Sequence, residues 1–101
     1  MDTEIKSNID KSQEFLKKKD FNNAELILLK NLQLSDKSFE TFFLLGTIAG
    51  IKKNLDKAET YLKKAKNLSS NNVNLFLNLA IIQKKMNKKN ESIENFKKVI
   101  E

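Results

Sequence analysis

The chain repeats itself at an interval of 34 residues, and this period constrains its fold more than any other feature. Small residues recur at this interval at Ala24, Ala58 and Ser92. Apolar residues recur in step with them: Leu28, Leu62 and Phe96, then Phe42 and Phe76, then Leu45 and Leu79. A unit of this length that returns in register is typical of a solenoid, in which each unit buries its apolar face against the next one.

The central unit, residues 39–68, is predicted to be two helices joined by a short turn. Apolar residues at three- and four-residue spacings predict the first helix over Phe39–Ile51. Lys52, Lys53, Asn54 and Leu55 break this pattern with a short polar turn, and a second amphipathic run follows from Leu55 to Leu68. Helices joined by so short a turn pack antiparallel, and Gly46 and Ala58 would let their backbones approach. A helical glycine costs about 1 kcal/mol relative to alanine, which favours close packing as the reason for Gly46.

Similar patterns predict helices on both sides of the central unit. These helices span Thr3–Lys18, Phe21–Leu34, Asn72–Met86 and Lys89–Ile100. The segments Ser35–Ser38 and Ser69–Asn72 separate the units and supply caps for the helices that follow. The apolar run Leu26–Leu29 is too short for a membrane anchor, and we interpret it as part of a helix covered on two sides. Four residues of the first helix are expected to face inward: Ile5, Ile9, Phe15 and Leu16.

The repeated residues resemble the tetratricopeptide repeat family, whose unit is a 34-residue helix pair. The matching motifs are Ala24-x3-Leu28 in the first unit, Phe42-x2-Leu45-Gly46, Ala58-x3-Leu62 and Ala65 in the second, and Phe76-x2-Leu79-Ala80, Ser92-x3-Phe96 and Val99 in the third. The chain departs from the family pattern at Ala49 and Gln83, where a tyrosine is usual. The resemblance implies an all-α fold, an α-solenoid of about three antiparallel helix pairs in a right-handed superhelix. Residues 1–101 would form a single domain with repeats at about 5–38, 39–72 and 73–101, the last incomplete.

Composition argues against catalysis. The 101 residues include no cysteine and no histidine, so the usual general base, thiol nucleophile and nitrogen metal ligand are missing. Carboxylates such as Glu59 and Glu94 stand four residues before Lys63 and Lys98, the spacing of surface ion pairs on a helix. We therefore expect no enzymatic activity, no cofactor and no metal. No apolar run is long enough for a membrane span and no export signal is visible, so cytoplasmic is the default expectation for location.

The net charge of +6 raises the possibility of nucleic-acid binding. All 19 basic residues are lysines, which lack the planar fork that reads guanine or stacks on bases. Clusters of these lysines occur at Lys17–Lys19, Lys63-Lys64-Lys66, Lys84-Lys85 and Lys88-Lys89. Lysines at helix ends and outer faces are favoured as a solvated surface, so nucleic acid ranks below the other partners. Binding to nucleic acid would weaken steeply with salt.

The resemblance implies that the chain binds another protein or peptide. In the family, the first helices of successive repeats line a concave groove. Carried over residue by residue, the groove would be lined by Ile9, Gln13, Lys17, Phe43, Leu44, Thr47, Ile51, Asn74, Leu77, Asn78, Ile81 and Lys85. Asn78 could exchange hydrogen bonds with a peptide backbone, or could be an ordinary surface asparagine. Phe43, Leu44 and Ile81 would form an apolar floor or be covered by neighbouring helices.

One subtype of the family grips the C-terminal carboxylate of heat-shock chaperones through lysines and asparagines in the groove. This sequence has Ile9 and Leu44 where that clamp needs a lysine and an asparagine. Asn74 stands in place of a second lysine, and Asn78 replaces a further basic residue. We therefore predict that the chain has no such carboxylate clamp.

The last predicted helix leaves an apolar end with no later helix to cover it. The residues expected there are Ile82, Met86, Ile93, Phe96, Val99 and Ile100. A terminal solenoid unit needs a polar face, and an exposed apolar patch usually marks a contact surface. The chain could be cut from a longer repeat protein, its end could pair with another copy, or a partner could cover it. Two functions follow: an adaptor that holds a peptide, and a structural module that forms a homo-oligomer through this end.

Overall fold

The computed structural model describes residues 2–101, which form six α-helices and no strand. In chain order the helices are α1 (Asp2–Lys17), α2 (Phe21–Leu34), α3 (Phe39–Ile51), α4 (Leu55–Leu68), α5 (Val73–Lys85) and α6 (Lys89–Ile100). The predicted bounds of α2, α3, α4 and α6 are confirmed, and those of α1 and α5 differ by one residue at each end. The all-α class is confirmed as well.

The turn inside each helix pair has the same conformation in all three repeats. Lys19, Lys53 and Asn87, which are spaced at the repeat interval, have φ values of 59°, 64° and 63°. The backbone N–H of the next residue donates to a carbonyl five residues earlier, as in Asp20 to Phe15, at 2.8 Å in every repeat. This is the bond that closes a helix C-terminus through a left-handed residue. The repeated turn sets each pair of helices antiparallel.

Polar side chains cap the N-termini of α3 and α5, the first helices of the second and third repeats, as predicted. The Ser38 side-chain oxygen accepts from the backbone N–H of Thr41 at 3.3 Å. The Asn72 side-chain oxygen accepts from the backbone N–H of Leu75 at 3.0 Å. Each bond satisfies a backbone donor that the helix itself leaves unpaired.

Close packing at Gly46 is confirmed. A Cβ atom built on Gly46 would lie 2.7 Å from Cγ of Leu62 and 3.3 Å from the carbonyl oxygen of Ala58, so α3 and α4 touch there. Ala58 is fully buried. The small residues of the repeat are therefore the points where the two helices of a pair meet.

Most of the buried apolar side chains form two clusters, one at each interface between successive pairs. The first cluster, between α1, α2 and α3, contains Ile5, Ile9, Ala24, Leu28, Leu45 and Ile48. The second cluster, between α3, α4 and α5, contains Phe42, Ala49, Ala58, Leu62, Ala65, Leu75, Leu79 and Ile82. Leu32 and Tyr61 pack against both clusters, which makes the core continuous along the chain. Of the four residues of α1 expected to face inward, Ile5 and Ile9 are buried, and Phe15 and Leu16 are half-buried against the first cluster.

The prediction that the Leu26–Leu29 run is covered on two sides is wrong for two of its residues. Leu28 is fully buried, but Leu26 is 59% exposed and Leu29 is 37% exposed. Helix α2 packs against α1 and α3, which both lie on its inner side, so its outer side faces solvent. No helix within residues 2–101 has the length and apolar character needed to cross a membrane.

Candidate functional site

Helices α3 and α5 contact each other directly and enclose the first part of the predicted groove. The depression between them has a volume of about 260 Å³. It is lined by Gly46, Thr47, Gly50 and Ile51 of α3, by Asn78, Ile81, Ile82 and Lys85 of α5, and by Leu62 of α4. Gly46 and Gly50 lie one turn apart, and a Cβ atom on Gly50 would be 3.1 Å from Cδ1 of Ile82. The missing side chain at Gly50 lets α5 approach α3, whereas the missing side chain at Gly46 lets α4 approach it.

A second depression, of about 480 Å³, lies where α1, α3 and the segment before α5 meet. Its lining residues are Gln13, Phe39, Glu40, Phe43, Leu44, Ser69, Asn71 and Asn72. The Phe39 and Phe43 rings stack with their centroids 5.8 Å apart and are both half-buried. Aromatic faces beside backbone and amide groups make this a surface of mixed polarity.

The structure brings eight of the twelve predicted groove residues to these two depressions. Thr47, Ile51, Asn78, Ile81 and Lys85 line the first, and Gln13, Phe43 and Leu44 line the second. Lys17 lies near Gln13 in a shallower surface along α1. Asn74 and Leu77 are exposed on α5. Ile9 is only 7% exposed, belongs to the first core cluster and lies at neither of these two depressions.

The first depression combines apolar walls with a few polar groups. Ile51 and Ile81 are 49% and 39% exposed, which is high for large apolar side chains. The side-chain amide of Asn78 donates to Oγ1 of Thr47 at 3.4 Å, a long bond, and Thr47 in turn donates to the carbonyl oxygen of Phe43 at 2.9 Å. A partner that supplied a better acceptor could replace the long bond at small cost.

Sequence reasoning missed Gly50 as a groove residue and missed the polar network behind it. Glu59 was paired with Lys63, which lies at 3.6 Å, but its shorter ion pair is with Lys88 at 2.7 Å. Gln83 also donates to Glu59, at 3.2 Å. The spacing of Gly46 and Gly50 on one helix face was the signal for the groove, whereas no local spacing links Glu59 to residues so distant in the chain.

Burial alone would raise the pKa of Glu59, whose side chain is 9% exposed. The hydrogen bonds from Lys88 and Gln83, with the charges of Lys63 and Lys88, outweigh this effect, so the pKa of Glu59 lies below its usual value. The same hydrogen bond raises the pKa of Lys88. The carboxylate is thus held in its charged form at the wall between the second and third repeats.

The predicted pairing of Glu94 with Lys98 is wrong. Glu94 is instead 3.9 Å from Lys97, and Lys98 is 3.8 Å from Glu101. These are exposed pairs of little energetic value, in which side-chain freedom decides the partner. Within residues 2–101, no group of three or more acidic, histidine or cysteine side chains is placed to hold a metal ion.

The sequence matches the family model of the tetratricopeptide repeat over residues 39–72 and 73–101. The match covers more than half of the chain, and the chain therefore belongs to the tetratricopeptide repeat family. No curated protein matches the sequence significantly.

Solved structures share this fold at low sequence identity. The crystal structure of MamA aligns with a TM-score of 0.89 at 20% identity, over 95% of this chain and 56% of that one. MamA 41-end from Desulfovibrio magneticus RS-1 aligns with a TM-score of 0.85 at 20% identity, over 95% and 54%. The second TPR of Spaghetti (RPAP3), bound to the HSP90 peptide SRMEEVD, aligns with a TM-score of 0.91 at 15% identity, over 96% and 90%. The chain spans about half the length of the MamA structures, and likeness at these identities shows the fold alone.

Proposed function

We propose that this chain is a non-catalytic interaction module that holds a segment of a partner polypeptide along α1, α3 and α5. The observation that carries the proposal is the depression over Gly46 and Gly50, where five of the predicted groove residues meet. An open apolar notch with convergent polar groups is the kind of surface that binds a side chain of a partner.

The geometry supports a division of roles within this depression. An apolar side chain of the partner would enter over the two glycines and cover the exposed faces of Ile51 and Ile81, gaining about 25 cal/mol for each Å² of apolar surface removed from water. Asn78 would donate to a backbone carbonyl of the partner. Lys85, exposed at the edge of the depression, would pair with an acidic side chain.

The chain differs from a module that grips an acidic C-terminal peptide. The RPAP3 neighbour is described as bound to the HSP90 peptide SRMEEVD. At the positions that such a clamp would need, this chain has a buried isoleucine, Ile9, and the neutral residues Leu44, Asn74 and Asn78. We expect no micromolar binding when SRMEEVD is titrated into this chain, and such binding would overturn this part of the proposal.

A peptide library selected against the chain tests the groove. We expect the affinity of selected peptides to fall about tenfold or more in the variants Ile81→Ser and Asn78→Ala, because loss of one anchor contact costs about 1.4 kcal/mol or more. Asn67→Ala is the matched control, since Asn67 is exposed on α4, away from both depressions. Fluorescence anisotropy measures the affinities, and thermal unfolding verifies that each variant folds. Selected peptides that bind all three variants equally well would show that the groove is not the binding surface.

A further inference from the structure

The two depressions of the groove lie on the same face of α3, two helical turns apart. Phe43 and Leu44 line the second depression, and Gly50 and Ile51, seven positions later, line the first. The other two residues that α3 contributes to each depression keep the same interval. Seven residues make two turns of an α-helix and a rise of about 10 Å. One partner segment that runs along α3 can therefore reach both depressions.

Both depressions lie within the stack and away from its apolar end. At that end Ile93 and Ile100 are exposed. Three further residues predicted there are half-buried: Met86, Phe96 and Val99. Ile82, also predicted there, is instead buried in the second core cluster and lines the first depression. The next repeat of a solenoid packs on the preceding one, so further helices would cover the apolar end and not the depressions.

The second depression suits an aromatic side chain with a polar tip. The rings of Phe39 and Phe43 line it and stack with their centroids 5.8 Å apart and an angle of 11° between their planes. A ring from a partner can stack on this pair or meet its edge. Glu40 is exposed beside the rings, and its carboxylate can accept a hydrogen bond from a tyrosine hydroxyl.

The first depression suits an aliphatic side chain. Its volume is about 260 Å³, against about 480 Å³ for the second. The exposed apolar side chains around it, Ile51 and Ile81, are aliphatic. The two depressions therefore favour different anchors, the larger one an aromatic residue and the smaller one a residue such as leucine.

The charges beside the two depressions are opposite. Lys85 lines the first depression and Glu40 the second, and both are exposed. Lys84 on α5 and Lys53 in the turn after α3 lie at the same end as Lys85, because the equivalent helices α3 and α5 run parallel in the stack. No ion pair among residues 2–101 includes any of these four residues. Acidic residues of a partner are therefore favoured beyond the first depression and disfavoured beside the second.

Side-chain amides along the groove favour an extended partner over a helical one. Gln13, Asn74 and Asn78 stand along it, and each amide can both donate and accept a hydrogen bond. An extended backbone has free N–H and C=O groups to meet them, whereas a helix pairs these groups internally. In a polyproline II segment, with three residues per turn and about 3.1 Å per residue, residues i and i+3 lie on one side about 9 Å apart. This distance is close to the two helical turns between the depressions.

We infer that the groove holds an extended, polyproline-like segment of a partner protein with an aromatic residue and an aliphatic residue three positions apart. The aromatic residue occupies the second depression and the aliphatic residue the first. Acidic residues follow on the far side of the aliphatic residue and meet Lys53, Lys84 and Lys85. The inference rests on the proposed function, since it specifies which segment the groove holds.

Labelled synthetic peptides and fluorescence anisotropy on the whole chain test the spacing and the charge. The reference peptide is Tyr-Pro-Pro-Leu-Asp-Asp, made also in the reverse order because either chain direction satisfies the geometry. We expect one of the two orders to bind at least about tenfold more tightly than versions with one or three prolines between the anchors, which can fill only one depression at a time. Replacing the aspartates by lysines should weaken binding about tenfold, and this difference should shrink as salt rises.

Two variants of the chain link each anchor to its depression. Lys85→Glu should weaken the aspartate peptide and strengthen the lysine peptide, whereas Lys30→Glu, at an exposed position of α2 outside both depressions, should change neither. Phe43→Leu should weaken the tyrosine peptide about fivefold and leave a peptide with leucine in place of tyrosine unchanged. Phe21→Leu, at a half-buried phenylalanine of α2, is the matched control. Thermal unfolding verifies that all variants fold.

The outcomes separate this inference from the proposed function. Library peptides that bind Ile81→Ser and Asn78→Ala as tightly as the wild type would overturn both. Library binding that is lost in these variants, with no preference for the spacing of three or no binding of either reference order, would overturn the inference alone. So would tighter binding of an alanine-based helix that carries tyrosine and leucine seven positions apart. A mass by sedimentation velocity that doubles with concentration in the wild type and not in Ile81→Ser would show that a second copy occupies the groove, which also contradicts the inference.

Discussion

The two interfaces between successive helix pairs are built from equivalent positions but from different chemistry. The residues are Asn8, Asn31 and Thr41 at the first interface, and Phe42, Ala65 and Leu75 at the second. Asn31 is fully buried, accepts from Asn8 at 2.8 Å, and donates to the carbonyl oxygen of Ile5 at 3.1 Å and to Thr41 at 3.2 Å. The second interface has no polar side chain at these positions. The same architecture therefore accepts either a closed polar network or an apolar contact, provided that every buried polar group is paired.

The second interface also has a polar network, but this network includes charged residues and lies at other positions than those of Asn8, Asn31 and Thr41 in the first interface. Glu59 accepts from Lys88 and Gln83, and Gln83 accepts from Asn95 at 2.6 Å. No buried side-chain nitrogen or oxygen in residues 2–101 lacks a partner. The first interface is thus neutral at its centre, and its equivalent ion pair, Glu25 with Lys52, is partly exposed, whereas Glu59 of the second interface is buried. The two should differ in their response to mutation and to pH.

The largest loss of stability is expected when an asparagine like Asn31 is placed in the second interface without its hydrogen-bonding partners. Ala65→Asn places an amide among Phe42 and Leu75, which offer it no side-chain partner, and it adds volume at a fully buried position. We expect a loss of about 4 kcal/mol in the free energy of unfolding, from unsatisfied polar burial and overpacking together. Urea unfolding measures it, with the exposed Asn67→Ala on the same helix as control. A loss below about 1 kcal/mol would mean that the second interface can reorganise around a polar group.

A smaller loss is expected when the network of the first interface is broken. Asn31→Ala leaves Asn8, Thr41 and the carbonyl oxygen of Ile5 without this partner, and we expect a cost of about 3 kcal/mol. The triple variant Asn8→Phe/Asn31→Ala/Thr41→Leu imports the side chains of the second interface and should recover most of that loss. Urea unfolding of both variants checks this pair of expectations. A triple variant as unstable as Asn31→Ala would show that the two interfaces are not interchangeable in shape.

The pH dependence of stability should separate the two interfaces further. The pKa of Glu59 in the folded chain lies below the ordinary value of 4.5, so its ionised network adds stability above that pH and loses it as the pH falls through the folded value. Glu59→Gln keeps a hydrogen-bonding side chain without the charge. We expect it to cost about 1–2 kcal/mol at pH 7, because hydrogen bonds to charged groups exceed those to neutral ones, and less at pH 3.

The matched control for this experiment is Asn31→Ala, whose network has no ionisable member and whose cost should not change between pH 7 and pH 3. Urea unfolding at the two pH values measures both variants. A cost of Glu59→Gln that is the same at both would show that the charge of Glu59 does not contribute to the second interface.

The difference between the interfaces also shows which features of the structure the sequence could predict. The period gave the bounds of α2, α3, α4 and α6 and the contact at Gly46, because apolar spacing and small residues act locally along a helix. The period could not predict that Asn31 is buried, because an asparagine in a helix is expected at the surface unless its hydrogen-bond partners are known.

At the candidate site the same limit applies. The family pattern placed Thr47, Asn78 and Ile81 around one depression, but the part played by Gly50 depends on how closely α5 approaches α3. Leu26 was expected to be covered because the apolar run around it is continuous. The position of a residue around its helix axis, and not the length of the apolar run, decides its exposure in a two-layer fold.

The smallest effect on stability is expected at Gly50, where the second interface has a glycine and the first has Leu16. In Gly50→Ala, the new methyl group would lie 3.1 Å from Cδ1 of Ile82, the end of a side chain that can move by a few tenths of an ångström. Alanine gains about 1 kcal/mol of helix propensity over glycine, so we expect a net gain of about 0.5 kcal/mol in the free energy of unfolding.

Gly46→Ala provides the contrast. Its clash at 2.7 Å is with Cγ of the fully buried Leu62, which cannot withdraw, so a net loss of about 1–2 kcal/mol is expected. Thermal unfolding of the two variants measures this contrast. Gly50→Ala could stabilise the fold and at the same time weaken the binding of groove-selected peptides. That result would show that the glycine serves the open depression and not packing, because packing alone would favour alanine.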